Sequence, residues 1–274
     1  MLFIQNFSKQ ILATLLISIA FNFTACGSMH YYPDDDLELI KEKSFDISEG
    51  KNLVVDVPGG DVTVTYWNKE SVEVKIFGNE KAYDNMEFDV NGDSEAVEVI
   101  GNKKSSVSSW FSNIKVKVEI KVPSKFNLDV NTSGGDIKCG GIEGMIMLNT
   151  SGGNIWTDKC SGNISVSTSG GDVFLFCKDA SIEAETSGGD IELEYSGENM
   201  GIDLSTSGGD IEIKLPSDLT ASLDLSTSGG DVSCSLTLSN ITKSYETSLV
   251  GDMNGGGEEI AAHTSGGDIT VREK

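Results

Sequence analysis

The sequence predicts an all-β protein, a parallel β-solenoid or β-helix of 18–21-residue repeats behind a less regular β-rich first portion. Three observations carry that prediction. A five-residue phrase recurs: Thr132-Ser133-Gly134-Gly135-Asp136, then Thr150-Ser151-Gly152-Gly153-Asn154, then copies ending at Asp172, Asp190, Asp210, Asp231 and Asp268. Successive copies are 18, 18, 18, 20, 21 and 37 residues apart, and self-similarity at a fixed period is the mark of a repeat architecture. The flanks alternate in phase with the phrase: Ile164/Val166/Thr168 before it and Val173/Leu175 after it, as also Ile182/Ala184/Thr186 and Ile191/Leu193. Strict alternation with β-branched residues describes half-buried strands. The composition agrees, with 31 Gly against 4 Pro in 274 residues and 38% hydrophobic residues, a folded chain with many tight turns.

Each repeat therefore reads as strand, Gly-Gly corner, strand and a looser return. The glycine pairs Gly134-Gly135, Gly152-Gly153, Gly170-Gly171, Gly188-Gly189, Gly208-Gly209, Gly229-Gly230 and Gly266-Gly267 are the structural turns, expected to use the positive φ that glycine accepts without steric cost. An earlier copy, Val57-Pro58-Gly59-Gly60-Asp61, keeps every phase with Val-Pro in place of Thr-Ser, so the corner depends on backbone shape. Two topologies fit. Stacked antiparallel hairpins would pair Thr132 with Ile137 across a two-residue turn. A solenoid would stack equivalent residues at ~4.8 Å, and it is favoured because near-identical coils bury their apolar faces only against one another. Residues 126–274 would then make about eight coils and a rod about 40 Å long. Within the last step, Leu249-Val250-Gly251-Asp252 reads as a degraded copy, and Val271-Arg272-Glu273-Lys274 as a charged end that blunts the final edge.

Residues 46–125 alternate less regularly, with Asn91-Gly92 as a hairpin signal between two runs. Trp110-Phe111 is either a cap plug or a contact patch. No helix is expected after residue 26. Ahead of this lies an address. Residues 1–25 carry a single charge, Lys9, and an apolar core from Ile11 to Phe21, the pattern of a secretory signal peptide and too short for a spanning helix. Phe23-Thr24-Ala25-Cys26 resembles a bacterial lipobox, which implies acylation of Cys26, with residues 26–45 as a lipidated cysteine and acidic tether. Several acyl chains would hold the protein stably at a membrane.

Charge sets limits on function. With 20 Lys+Arg against 43 Asp+Glu the net charge is −23, which excludes a nucleic-acid binder, since phosphate affinity comes from Lys and Arg. Two histidines, His30 and His263, leave little for imidazole catalysis or zinc, and His263 beside Thr264 is a weak nucleophile–base pair. No cofactor is implied. The stacked aspartates Asp136, Asp172, Asp190, Asp210, Asp231 and Asp268 are candidates for a cation column, calcium being the natural ion; the plainer reading is carboxylates that accept amides of their own corner. The inward threonines would hydrogen-bond one another along the stack. Cys160 and Cys177, from adjacent coils, either bridge or pack as small buried hydrophobes; Cys139 and Cys234 lie about five coils apart, beyond disulfide reach. Outward Glu183, Glu192, Glu194, Asp203, Glu212 and Asp224 form an acidic stripe suited to cationic partners.

With the lipobox, the repeated Thr-Ser-Gly-Gly-Asp-Ile/Val and the Pro-Ser lead-ins at Pro123 and Pro216, residues 45–274 resemble the bacterial putative-adhesin family of β-strand-repeat domains. The resemblance implies an envelope-facing, non-enzymatic module and brings no catalytic residues. The expectation is a lipid-anchored protein of the outer membrane or cell surface, with the periplasmic face as the other setting. Its partner would be a host or envelope protein or polysaccharide. The rival is a structural or regulatory envelope module acting through a protein partner.

Overall fold

Two ladders of strands meet along the line of corners in the computed structural model, which describes residues 37–104 and 113–274. The signal peptide, Cys26, most of the tether and Trp110-Phe111 lie outside the described residues. In chain order the strands are β1 (Glu38–Asp46), β2 (Lys51–Val57), β3 (Asp61–Tyr66), β4 (Ser71–Gly78), β5 (Met86–Gly92), β6 (Ala96–Lys103), β7 (Val116–Val122), β8 (Phe126–Thr132), β9 (Ile137–Gly140) and β10 (Glu143–Asn149). They continue as β11 (Ile155–Thr168), β12 (Val173–Thr186), β13 (Ile191–Thr206), β14 (Ile211–Leu215), β15 (Ala221–Thr227), β16 (Val232–Cys234), β17 (Ser239–Tyr245), β18 (Ser248–Met253), β19 (Glu259–Thr264) and β20 (Ile269–Glu273).

The architecture is all-β, an open, solenoid-like sheet system. Before the corner, β2, β8, β10 and the second halves of β11, β12 and β13 pair in parallel. After it, β3, β9, the first halves of β11, β12 and β13, then β14, do the same. Register is fixed by the apolar phase: Ile164 lies opposite Ile182, and Ile182 opposite Ile202, and one residue of slip would turn each of these buried rows to solvent. The strands that flank one corner belong to different ladders, so the hairpin alternative, with Thr132 across from Ile137, does not form.

The ends differ from the sequence reading. The final chain segment does not close the stack. β19 pairs with β13 on one side and β15 on the other, and β20 lies between β14 and β16. Arg272 is ion-paired with Glu212, and Lys274 Nζ is 2.8 Å from Glu194, so these cations neutralise neighbours and blunt no edge. The degraded copy at 249–252 is β18, which runs antiparallel to β15 and carries β17 beyond it. At the other end β2 and β3 are followed outward by β6 and β7, and these by antiparallel β5 and by β4 and β1.

Among the described residues one helix forms where none was expected, α1 (Glu80–Asn85). Asn79 Oδ1 accepts the Ala82 N–H at 3.0 Å as its N-cap, and Ala82 is fully buried. The β5–β6 hairpin does form, but its turn follows Asn91-Gly92: Asp93 Oδ1 accepts the N–H groups of Glu95 and Ala96 at 2.7 and 3.0 Å. Those two bonds hold the Asp93 carboxyl below its ordinary pKa.

Candidate functional site

The corner is the most regular feature of the molecule, and its side chains join neighbouring coils. Thr168 Oγ1 donates to Gly153 O at 2.9 Å and accepts the Gly171 N–H at 3.3 Å, so one buried hydroxyl fixes a carbonyl of the previous coil and an amide of its own. Thr150, Thr186, Thr206 and Thr264 repeat both bonds with Gly135, Gly171, Gly189 and Gly209 as the carbonyl partners. The expected threonine-to-threonine chain is replaced by this hydroxyl–carbonyl relay, in which each hydroxyl donates to a corner carbonyl 2.9 Å away.

The aspartates act the same way. The N–H of Asp190 donates to Asp172 Oδ1 at 2.9 Å, that of Asp172 to Asn154 Oδ1 at 2.7 Å, and that of Asn154 to Asp136 Oδ1 at 2.9 Å. The ladder begins at Asp61 and runs through Asp210 and Asp268 to Asp231. Each carboxylate thus caps the amide of the neighbouring coil rather than its own corner, and Asn154 performs the task because only the oxygen is used. Asp268 sits between Asp210 and Asp231, matching the insertion of β19 and β20. Among the described residues no three His, Cys, Asp or Glu side chains converge on one point.

The glycines are required for a reason other than the expected one. Among the seven Thr-Ser-Gly-Gly corners no glycine has positive φ; in the Val-Pro variant Gly60 does, at +120°. A Cβ on the second glycine of a pair would run into the backbone of the neighbouring coil: Gly171 into the Gly153 carbonyl, Gly189 into that of Gly171, Gly209 into that of Gly189. The first glycine has room in the regular coils, with nothing within 4 Å of a Cβ at Gly134 and nothing nearer than 3.8 Å at Gly170; the approach tightens to 3.1 Å from the Ser265 carbonyl at Gly229, beside the inserted strands. Close backbone approach therefore selects one glycine of the two.

Of the outward acids, Glu192, Glu194 and Glu212 are neutralised by Lys214, Lys274 and Arg272. Glu183, Glu185 and Asp203 are exposed on the other ladder, with Glu183 directly opposite Asp203 in register. Among the described residues no ion pair involves these three or Asp224. The insertion of β19 sets Ala261 between Asp203 and Asp224, so Asp224 stands apart from the cluster. His263 is exposed beside Ser226 Oγ, 2.8 Å from its Nδ1, whereas Thr264 points inward to Gly209; the two adjacent residues do not act together.

Two features escaped the sequence reading. Trp156 and Phe174 stack with centroids 5.5 Å apart and planes 8° apart, and Lys138 Nζ lies 4.9 Å from the Trp156 centroid. All three occupy the second position after the corner in successive coils, so aligning the outward phases would have found them. The other is the thiol arrangement. Cys139, Cys160, Cys177 and Cys234 are free; Cys160 Sγ lies 3.7 Å from Cys139 Sγ, while Cys177 Sγ contacts Thr157 Oγ1 at 3.2 Å. The Cys160–Cys177 bridge is not formed, although their backbones are in register. Burial pushes the Cys177 thiol up to about 12.

A parallel β-stack with inter-coil corner ladders and antiparallel ends defines a non-barrel repeat domain. The chain belongs to the Toastrack DUF4097 family, whose model matches residues 50–176 and again 147–272. Solved structures similar to this chain include a putative cell adhesion protein from Clostridium sporogenes, 12% identical, covering 86% of this chain and 100% of that one with a TM-score of 0.40. A putative adhesin from Bacteroides fragilis is 13% identical over 88% and 99% of the two chains, with a TM-score of 0.41. A putative lipid binding protein from Parabacteroides distasonis is 14% identical over 87% and 98%, with a TM-score of 0.38. No curated protein matches the chain. Among the described residues no helix is long and apolar enough to cross a membrane.

Proposed function

We propose that this chain is an exported, lipid-anchored, non-enzymatic binding module of the bacterial cell envelope. In this reading each 18–21-residue phrase is one coil of a parallel solenoid, and the coils form a rigid frame that displays an acidic face. The observation that carries it is the exposed set Glu183, Glu185 and Asp203, held in register on adjacent strands with no cation among the described residues paired to it. Carboxylates fixed at strand spacing repel one another, and a cationic surface relieves that repulsion on binding. Cys26 would carry the acyl chains, and the partner would be a host or envelope protein or polysaccharide with cationic groups. The corner aspartates have a structural task in this reading, and calcium is not needed for it.

The test is a triple substitution, Glu183→Gln, Glu185→Gln and Asp203→Asn, in the full chain. Melting should stay unchanged or rise slightly as the mutual repulsion is removed, while attachment to envelope or host material is lost; attachment equal to that of the unsubstituted chain would overturn the reading. A second reading, a structural or regulatory envelope module, draws support from the internal pairing of Glu192, Glu194 and Glu212. Protease shaving of intact cells separates the two, because a surface-displayed binder is removed and a periplasmic module is spared.

A further inference from the structure

Cys139 and Cys160 are fully or almost fully buried, at 3% and 0% exposure, on adjacent coils. Their sulfurs are 3.7 Å apart, and Cys160 Sγ also lies 3.6 Å from Cys139 O. The register explains the approach. Cys139 lies opposite Thr157, and the backbone then breaks register between Asp158 and Cys160, with Lys159 at φ +55°. That irregularity turns the Cys160 side chain back toward the earlier coil. Cys177, the in-register neighbour on the other side, is held by Thr157 instead. Sequence spacing pointed to Cys160 with Cys177; side-chain direction selects Cys139.

We propose that Cys139 and Cys160 form a disulfide that links these two coils in the matured protein. The proposal rests on the export reading above, because such bonds persist in oxidising compartments. The Sγ atoms must close from 3.7 Å to a bond of about 2.05 Å. The oxidant is a disulfide, either that of an extracytoplasmic dithiol oxidase or a small-molecule disulfide. One thiolate attacks it to give a mixed disulfide, and the second thiolate displaces the oxidant's remaining thiol. Two protons and two electrons leave the cysteine pair, and the oxidant departs as two thiols. The exchange takes place while the two coils are assembling, before the flanking coils bury the sulfurs.

The experiment has two arms. In the first, the full chain is reduced, denatured and refolded in a glutathione/glutathione-disulfide buffer, then alkylated and digested for mass spectrometry. The proposal predicts a linked Cys139–Cys160 peptide and alkylated Cys177 and Cys234. It also predicts that the reduced refolded protein melts about 5 °C lower than the oxidised one. Four alkylated thiols at these positions, or a Cys160–Cys177 link, would overturn it. In the second arm the protein is taken from cells of the source organism and alkylated at once under denaturing conditions. A linked pair supports both the disulfide and export. A pair that forms in the buffer but is reduced in the cell overturns the export reading and the disulfide in the matured protein, leaving only the geometric match of the two thiols.

Discussion

The interior of the stack and its two ends obey different rules. Between β8 and β13 every strand of the ladders has parallel neighbours, and the corner is nearly invariant: threonine bonded to the previous carbonyl, a second glycine pressed on the previous backbone, and a carboxylate or amide capping the next amide. At the ends the partners turn antiparallel and the phrase disappears. The ends also differ from each other. At the first, Lys41 and Lys43 of β1 donate to the Phe88 and Val90 carbonyls of β5, closing that edge with cations. At the other, β17 is exposed along its whole length, with Ile241 53% and Tyr245 72% accessible. The contrast teaches that the sequence motif is a response to neighbours above and below, and not to the turn itself.

The largest effect expected from this comparison comes from removing residues 258–274. If they formed a terminal coil, loss would be local. Because β19 and β20 lie between β13–β14 and β15–β16, their deletion takes away the buried Ile260, Ala262, Ile269 and Val271 and uncovers both neighbours. A loss of about 6–10 kcal/mol follows from burial of that size. Hydrogen exchange should show β15 to β18 unprotected while β8 to β11 keep their protection.

Thr168→Val is next. Valine keeps the shape but leaves the Gly153 carbonyl and the Gly171 amide without the bonds that Thr168 supplies, at a cost of about 1–3 kcal/mol in chemical denaturation. Asp172→Asn in the same coil should stay within about 0.5 kcal/mol, since Asn154 already shows that an amide oxygen serves. An equal loss for both would break the assignment of the Asp ladder to amide capping.

The smallest effect concerns the first end. Glu73 lies 3.3 Å from both Lys75 and Lys121. Burial raises its pKa, but hydrogen bonding and attraction from Lys121, reinforced by Lys75, outweigh it and leave the carboxyl below its ordinary value. A depressed folded pKa gives stability that is present above the unfolded value and lost as pH falls through the folded one. Acid titration of the melting temperature should therefore be slightly flatter for Glu73→Gln in that acidic window.

Much of the interior was legible from the chain. The inward phases Ile164/Val166/Thr168 and Val173/Leu175 are the buried ones, because a two-residue period with β-branched side chains has one packed face. The order of the coils was not legible. Asp268 carries the same corner as Asp231, so either could follow Asp210, and only the antiparallel β17 and β18 between them reveal which does. The six-residue α1 was hidden by its length, though Asn79 ahead of Glu80 is an N-cap signal. The acidic face was half legible: the alternation placed Glu183 and Glu192 outward, but the cations that silence Glu192, Glu194 and Glu212 come from Lys214 and from the inserted C-terminal strand.

The two glycines of one corner separate the demands of the turn from those of the neighbouring coil. Gly170→Ala and Gly171→Ala differ by one position, by no change in composition, and by what a methyl group meets: ordinary contact with the Ser151 carbonyl at 3.8 Å in the first and a clash with the Gly153 carbonyl in the second. Thermal and denaturant unfolding of the pair should leave Gly170→Ala within about 1 kcal/mol of the unsubstituted chain, while Gly171→Ala loses about 3 kcal/mol or more as two coils are forced apart. Equal losses at both positions would mean that the turn, and not the approach of neighbouring coils, dictates the motif.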